Sequence, residues 1–181
     1  MKMPTLPLLL CALVLLNGVA ESQGRRRLCP RGWSPAYGRC FKYVSRRLTW
    51  AQAERNCLSM RGNLASIRSP GEYKAVQRII LRVDRKLPKA WIGGSDAAQE
   101  KMWLWSDGRR MTYTNWCRRQ PDNARCNEDC LEMNYSGKKC WNDLNCALAR
   151  ASVCVLKKRT FWRGGFRLRR VGRRILKKPK F

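Results

Sequence analysis

The chain has no histidine among its 181 residues, and its 12 Asp and Glu are outnumbered by 39 Lys and Arg. Without imidazole, Ser-His and Cys-His nucleophilic catalysis is excluded, as is any metal site built on histidine. Carboxylate pairs of the glycosidase kind survive that exclusion, but a non-enzymatic protein is the expectation. Long apolar runs are also scarce. Leu6 to Leu16, broken only by Pro7, is followed by no later stretch of the roughly 20 apolar residues that a membrane span needs. With Lys2 before it and the small residues Gly18 and Ala20 after it, this run reads as a secretory signal over residues 1–20, cleaved between Ala20 and Glu21. A secreted, extracellular product is therefore expected, in oxidising surroundings where cysteines are read first as bridges.

What is present describes a compact, cross-linked domain: 44% hydrophobic residues, 8 Trp and 10 Cys. Cys11 leaves with the signal. The nine cysteines that remain are an odd number, so one thiol is free or paired with another chain. Charge divides the chain. Residues 157–181 hold twelve Lys and Arg and no acid; with these and Lys2 set aside, the net charge falls from +27 to +14 on residues 21–156. Residues 21–28 form a short basic lead.

Two helices are predicted from their caps. Thr49 with Gln52 makes a capping box ahead of Trp50, Ala53 and Cys57, giving a helix over about 49–59. Ser69 with Glu72 makes a second box, followed by an apolar face of Tyr73, Val76, Ile79 and Ile80. After Pro88 the pattern turns to short strand-like runs between turn residues: 90–94, 102–105, 130–135 and 151–156. Helices early and strands late indicate an α+β fold.

Five oxygen-bearing side chains gather in one region: Gln120, Asp122, Glu128, Asn142 and Asp143. Calcium requires six to eight oxygens at about 2.3–2.6 Å, and three carboxylates with two amides suit it. Gln120 and Asp122 flank Pro121, so an extended backbone turns both side chains to one side. Arg118, Arg119, Arg125, Lys138 and Lys139 lie near in sequence and are expected to weaken the ion more than abolish it, because solvated cations swing away.

Together these landmarks resemble a C-type lectin-like domain over about 29–156. Cys29-Pro30-x-Gly32-Trp33 with Cys40 resembles the extra hairpin of the long form of that family. Trp91-Ile92-Gly93-Gly94 is similar to its central core strand, and Gln120-Pro121-Asp122, Glu128-Asp129-Cys130 and Trp141-Asn142-Asp143 to its sugar-site motifs. The resemblance implies two helices, short antiparallel sheets, long loops, a cis Pro121, and Ca2+ held by Gln120, Asp122, Glu128, Asn142 and Asp143. It also implies a sugar bound through two vicinal hydroxyls, of galactose type from the Gln-Pro-Asp motif. The loop Asn123 to Asn127 lacks the Trp and glycines that often accompany galactose binding. The family's pairing is Cys29–Cys40, Cys57–Cys154 and Cys130–Cys146. A further Cys117–Cys140 bridge resembles one in fish lectins and type II antifreeze proteins, leaving Cys126 unpaired or joined to a second copy in a disulfide-linked dimer.

Asn134-Tyr135-Ser136 is a glycosylation sequon in an exported chain. In the tail, Leu168, Val171 and Ile175 share one helical face opposite Arg169, Arg170, Arg173, Arg174 and Lys177, a pattern expected to become helical on an anionic surface. Anionic glycans or microbial membranes are the expected partners of 157–181, and a specific nucleic acid is not. The expectation is a calcium-dependent lectin with an innate-defence role. Its rivals are a calcium-independent polyanion binder with a vestigial sugar site and a venom-type lectin dimer.

Overall fold

Residues 29–156 are described by a computed structural model; the expected signal segment 1–20, the basic lead 21–28 and the cationic tail 157–181 lie outside them. The first strands, β1 (Ser34–Ala36) and β2 (Arg39–Leu48), form a hairpin closed by the Cys29–Cys40 disulfide. Helix α1 (Trp50–Ser59) starts at Thr49, whose hydroxyl accepts from the backbone N–H of Gln52 while the Gln52 side chain accepts from that of Thr49. Ala53 and Cys57 are its buried face, and Cys57 is bridged to Cys154, 97 residues away. Closing so long a loop is worth roughly 4 to 5 kcal/mol on the chain-entropy model.

Next come β3 (Gly62–Leu64) and helix α2 (Pro70–Leu81), which packs Tyr73, Val76, Ile79 and Ile80 into the core. Ser69 caps α2 by accepting from the N–H of Glu72, but the reciprocal half of the expected box is not made. The Glu72 carboxylate is drawn inward, where it pairs with Arg39 and Arg68. Strands β4 (Ala90–Ser95), β5 (Leu104–Trp105), β6 (Cys130–Tyr135), β7 (Cys140–Leu144) and β8 (Arg150–Leu156) complete an α+β fold. The sheet runs β1-β2-β8-β4-β6-β7, with β3 on β8 and β5 on β4.

Antiparallel pairing was expected throughout, and β4 with β8 is the exception: Ala90 pairs with Ala151 and Trp91 with Ser152 in parallel. The expected strand over 102–105 shortens to two residues. Met102 N–H closes a turn on the Gln99 carbonyl, and Lys101 is left-handed at φ 67°. No described helix is long and apolar enough to cross a membrane.

The core is centred on Trp91, Ile92, Leu131, Met133 and Trp141, all fully buried. The indole N–H of Trp91 donates to the Leu48 carbonyl at 3.0 Å, and that of Trp50 to the Ile92 carbonyl at 2.9 Å, satisfying groups whose burial would otherwise be unfavourable. At Gly93 a Cβ would lie 2.7 Å from the Leu64 carbonyl oxygen and 2.8 Å from Ser106 Oγ. Backbone leaves no room to yield, so Gly93→Ala should destabilise the domain by about 2 kcal/mol or more. A urea midpoint unchanged from the parent would show that β3 can move away.

Candidate functional site

Two anchored segments, with the loop 123–129 that joins them, build the site. The first, 115–122, is held against β7: Trp141 N–H donates to the Asn115 carbonyl at 2.8 Å, and Cys117 N–H to the Trp141 carbonyl at 2.9 Å. The Cys117–Cys140 disulfide clamps the same two segments. From there the chain turns, with Gln120 N–H donating to the Cys117 carbonyl, into a cis Gln120–Pro121 peptide. The second segment is the β6–β7 pair, in which Glu132 faces Asn142 and Leu131 faces Asp143. Cys130–Cys146 ties its far end.

Asp122, Glu128 and Asp143 come together, with one oxygen of each within 4.8 Å of the others. Asp143 is the buried member and organises the loop. Its carboxylate accepts from the N–H of Asp122 at 3.2 Å and of Asn123 at 2.6 Å. Across the loop, Glu128 accepts from Ala124 N–H, while the Asn123 side chain accepts from Glu128 N–H at 3.0 Å. Asn123, Arg125 and Cys126 all have positive φ without being glycine, so these hydrogen bonds hold a backbone that its own torsions disfavour. The Glu128 carboxyl is pushed above the usual range, first by burial and then by the charges of Asp143, Asp122 and Glu132.

The other two expected ligands stand differently. Gln120 Oε1 is buried with no hydrogen-bond partner among the described residues. A buried amide oxygen left in that state is unfavourable unless a donor or cation meets it. Asn142 is buried beside the cluster, and its Nδ2 donates to Glu132 Oε1 at 3.3 Å and to the Asp143 carbonyl. The donor set thus fits a hard cation: three crowded carboxylates, one unclaimed amide oxygen, and one amide oriented by a buried carboxylate.

Sequence reasoning missed the surround. Glu132 is fully buried in β6 and offset by Arg150 at 2.8 Å and Lys89 at 3.6 Å. Asp96 follows β4, one of its oxygens is unpartnered, and burial with Glu100 and Asp129 nearby raises its carboxyl. Glu100 in turn accepts from the Asn123 side chain. An Asp and a Glu four apart in the turn after a core strand was the readable signal. The cations that flank the site in sequence form no ion pair with its acids: Arg118, Arg119, Arg125 and Lys138 are exposed.

Asn134 lies elsewhere. It is 1% exposed, and its Nδ2, the atom a glycan would occupy, donates to the Pro88 carbonyl at 2.9 Å. Glycosylation at the sequon, expected from the sequence, does not fit this burial. The mass of the protein expressed in a secretory host should be unchanged by peptide N-glycosidase; a shift of one glycan would mean that modification precedes closure of this corner. Cys126 is exposed on the loop between Asp122 and Glu128, outside the four bridges.

Known proteins are similar to this chain in sequence and fold. The family described as Lectin C-type domain matches residues 46–156. Ladderlectin from Oncorhynchus mykiss is 36% identical, over 81% of this chain and 89% of that protein. The galactose-specific lectin nattectin from Thalassophryne nattereri is 37% identical, over 81% of this chain and 91% of its own. Among solved structures, the herring type II antifreeze protein superposes with a TM-score of 0.66 at 38% identity, covering 70% of this chain and 97% of that one.

Proposed function

The chain belongs to the C-type lectin domain family, and from that premise we propose that it is a secreted, calcium-dependent lectin with a preference for galactose-type sugars. Family membership puts it among carbohydrate-binding and antifreeze proteins, not enzymes. The observation that carries the proposal is the cluster of Asp122, Glu128 and Asp143 beside the unpartnered oxygen of Gln120. Ca2+ would be held by Gln120, Asp122, Glu128, Asn142 and Asp143, and when bound it supplies a positive centre for two vicinal sugar hydroxyls.

The protein's own residues do the rest. Asp143 fixes the loop through the N–H groups of Asp122 and Asn123. Glu132 and the Asp143 carbonyl take the Asn142 amide hydrogens and so fix the orientation of that amide beside the cluster. Carboxylates accept from sugar hydroxyls and amides can also donate, so the order amide-Pro-acid sets which hydroxyl pair is read. Similarity to a galactose-specific lectin supports the sugar class. Ice binding is not proposed, because so charged a surface offers few flat, weakly hydrated patches.

Residues 157–181, outside the described structure, add an affinity for anionic glycans or microbial membranes, which with lectin activity constitutes a defence role. Cys126, exposed and unbridged, would link two copies. A glycan array with and without a calcium chelator, on the full chain and on a chain lacking 157–181, tests the whole reading. Chelator-sensitive galactoside binding that survives truncation is expected; chelator-insensitive binding to every ligand would overturn it. Exchanging the motif by Gln120→Glu with Asp122→Asn should shift preference toward mannose-type sugars, since donor and acceptor trade places at constant charge. An unchanged sugar ranking in competition assays would place specificity in the loop 123–127.

A further inference from the structure

Away from the carboxylate cluster, a cleft of about 270 Å³ opens between α2 and the turn joining β6 to β7. Its charged lining is entirely cationic: Lys74 from the helix, Lys138 and Lys139 from the turn. None of the three forms an ion pair among the described residues. Lys139 is the telling one. The residue is half-buried, and its ammonium donates to the Leu87 carbonyl at 3.2 Å, a neutral partner that leaves the charge without a counter-ion among the described residues.

The turn itself is bolted in place. The Tyr73 hydroxyl donates to the Lys139 carbonyl at 2.5 Å, and the Gln77 amide donates to it at 3.4 Å. The cations therefore stand on a fixed frame, although one of them, Lys139, requires a left-handed backbone at φ 54°. The rest of the lining is aromatic and amide, with Pro70 and Leu87 as its aliphatic members. Tyr113 is half-exposed, with its ring edge-on to Trp141 at 5.5 Å, and Gln77 and Asn115 carry side-chain amides.

We propose that this cleft is a second, calcium-independent site for an anionic saccharide unit, a sulfated sugar residue. Lysines face the sulfate as point charges, amides serve hydroxyls, and a half-exposed ring offers a face to the sugar's C–H surface. The volume falls just below that of pockets for drug-sized ligands, which suits a single sugar unit within a longer chain. None of its lining residues belongs to the carboxylate cluster, so the inference stands whether or not that cluster binds calcium.

Another basic groove, lined by Arg46 and Arg55 with Gln52, Asn56 and Leu48, has no aromatic face and serves as the control. The experiment is an amide NMR titration of the full chain with a heparin-derived disaccharide in excess chelator. Shifts at Gln77, Asn115 and Lys138 are expected. Lys74→Gln with Lys138→Gln, both exposed and without ion pairs, should weaken the disaccharide by roughly tenfold while the spectrum stays folded. Arg46→Gln with Arg55→Gln should leave affinity unchanged. Equal affinity in the lysine variant, or shifts confined to 46–56 or 157–181, would overturn the proposal. Inorganic sulfate at matched ionic strength is the last arm: weaker shifts than the disaccharide are expected, and equal ones would remove the sugar from the assignment.

Discussion

Asp143→Asn should lower calcium affinity by on the order of a hundredfold, since even groups that only orient metal ligands are worth ten- to a hundredfold. One carboxylate charge of the three disappears from the cluster. The loop suffers as well. Asp143 now accepts from two backbone N–H groups, those of Asp122 and Asn123. An amide keeps one acceptor and turns its NH2 toward the other donor, so donor meets donor. Calorimetry with calcium checks this, and a variant that binds like the parent would dismiss Asp143 as a ligand. In the parent, saturating ion should raise the unfolding temperature, by linkage worth about 2.7 kcal/mol at a hundred times the dissociation constant.

The sign of the pH effect follows from Glu128. Burial and its acidic neighbours raise its carboxyl above the ordinary value, so it protonates earlier than an exposed glutamate as pH falls. Protons and calcium compete for the same oxygens. Calcium affinity should therefore decline on acidification, beginning above the usual carboxylate range, and calorimetry across a pH series reads that onset.

The second large effect lies far from the site. Glu72→Ala should destabilise the domain by about 3–5 kcal/mol. Glu72 is fully buried and Arg39 is 6% exposed, with Nη1 at 3.2 Å from the carboxylate. Arg39 also donates to the Ser66 carbonyl at 2.8 Å and meets Asp107 at 3.3 Å, while Arg68 closes on Glu72 from outside at 2.8 Å. Removing the carboxylate strands a buried guanidinium that Asp107 satisfies only in part. Against a typical total of 5–15 kcal/mol, such a loss is severe. Replacing both partners by Arg39→Met with Glu72→Leu should restore most of the stability, because the buried charge goes with its counter-charge while Asp107 keeps Arg109 at 3.2 Å and Arg68 is open to water. Urea unfolding of the three proteins decides. A loss under about 1 kcal/mol in Glu72→Ala would mean that water reaches Arg39.

The same glutamate marks a boundary of what a sequence discloses. Glu72 three residues after Ser69 reads as a capping box, yet only the Ser69 half forms. Local spacing proposes a partner across one turn; the fold offers Arg39, 33 residues away, in a drier place. Thr49 and Gln52 had no such competitor near the surface, so their box closed as spacing predicts.

The sequence by itself determined the α+β class, the two helix starts, the core strand at Ala90 to Gly94 and the set of oxygen donors, because each rests on local rules: caps, periodicity, and the chemistry of side chains. Only the tertiary structure decided which donors meet. It brings Asp122, Glu128 and Asp143 together, leaves Gln120 Oε1 without a partner, and turns Asn142 onto Glu132. It also buries Asn134, which the sequon presented as a surface residue, and joins β4 to β8 in parallel. Those outcomes depend on contacts between segments tens of residues apart, where burial and exclusion of water, not neighbouring residues, set the energy.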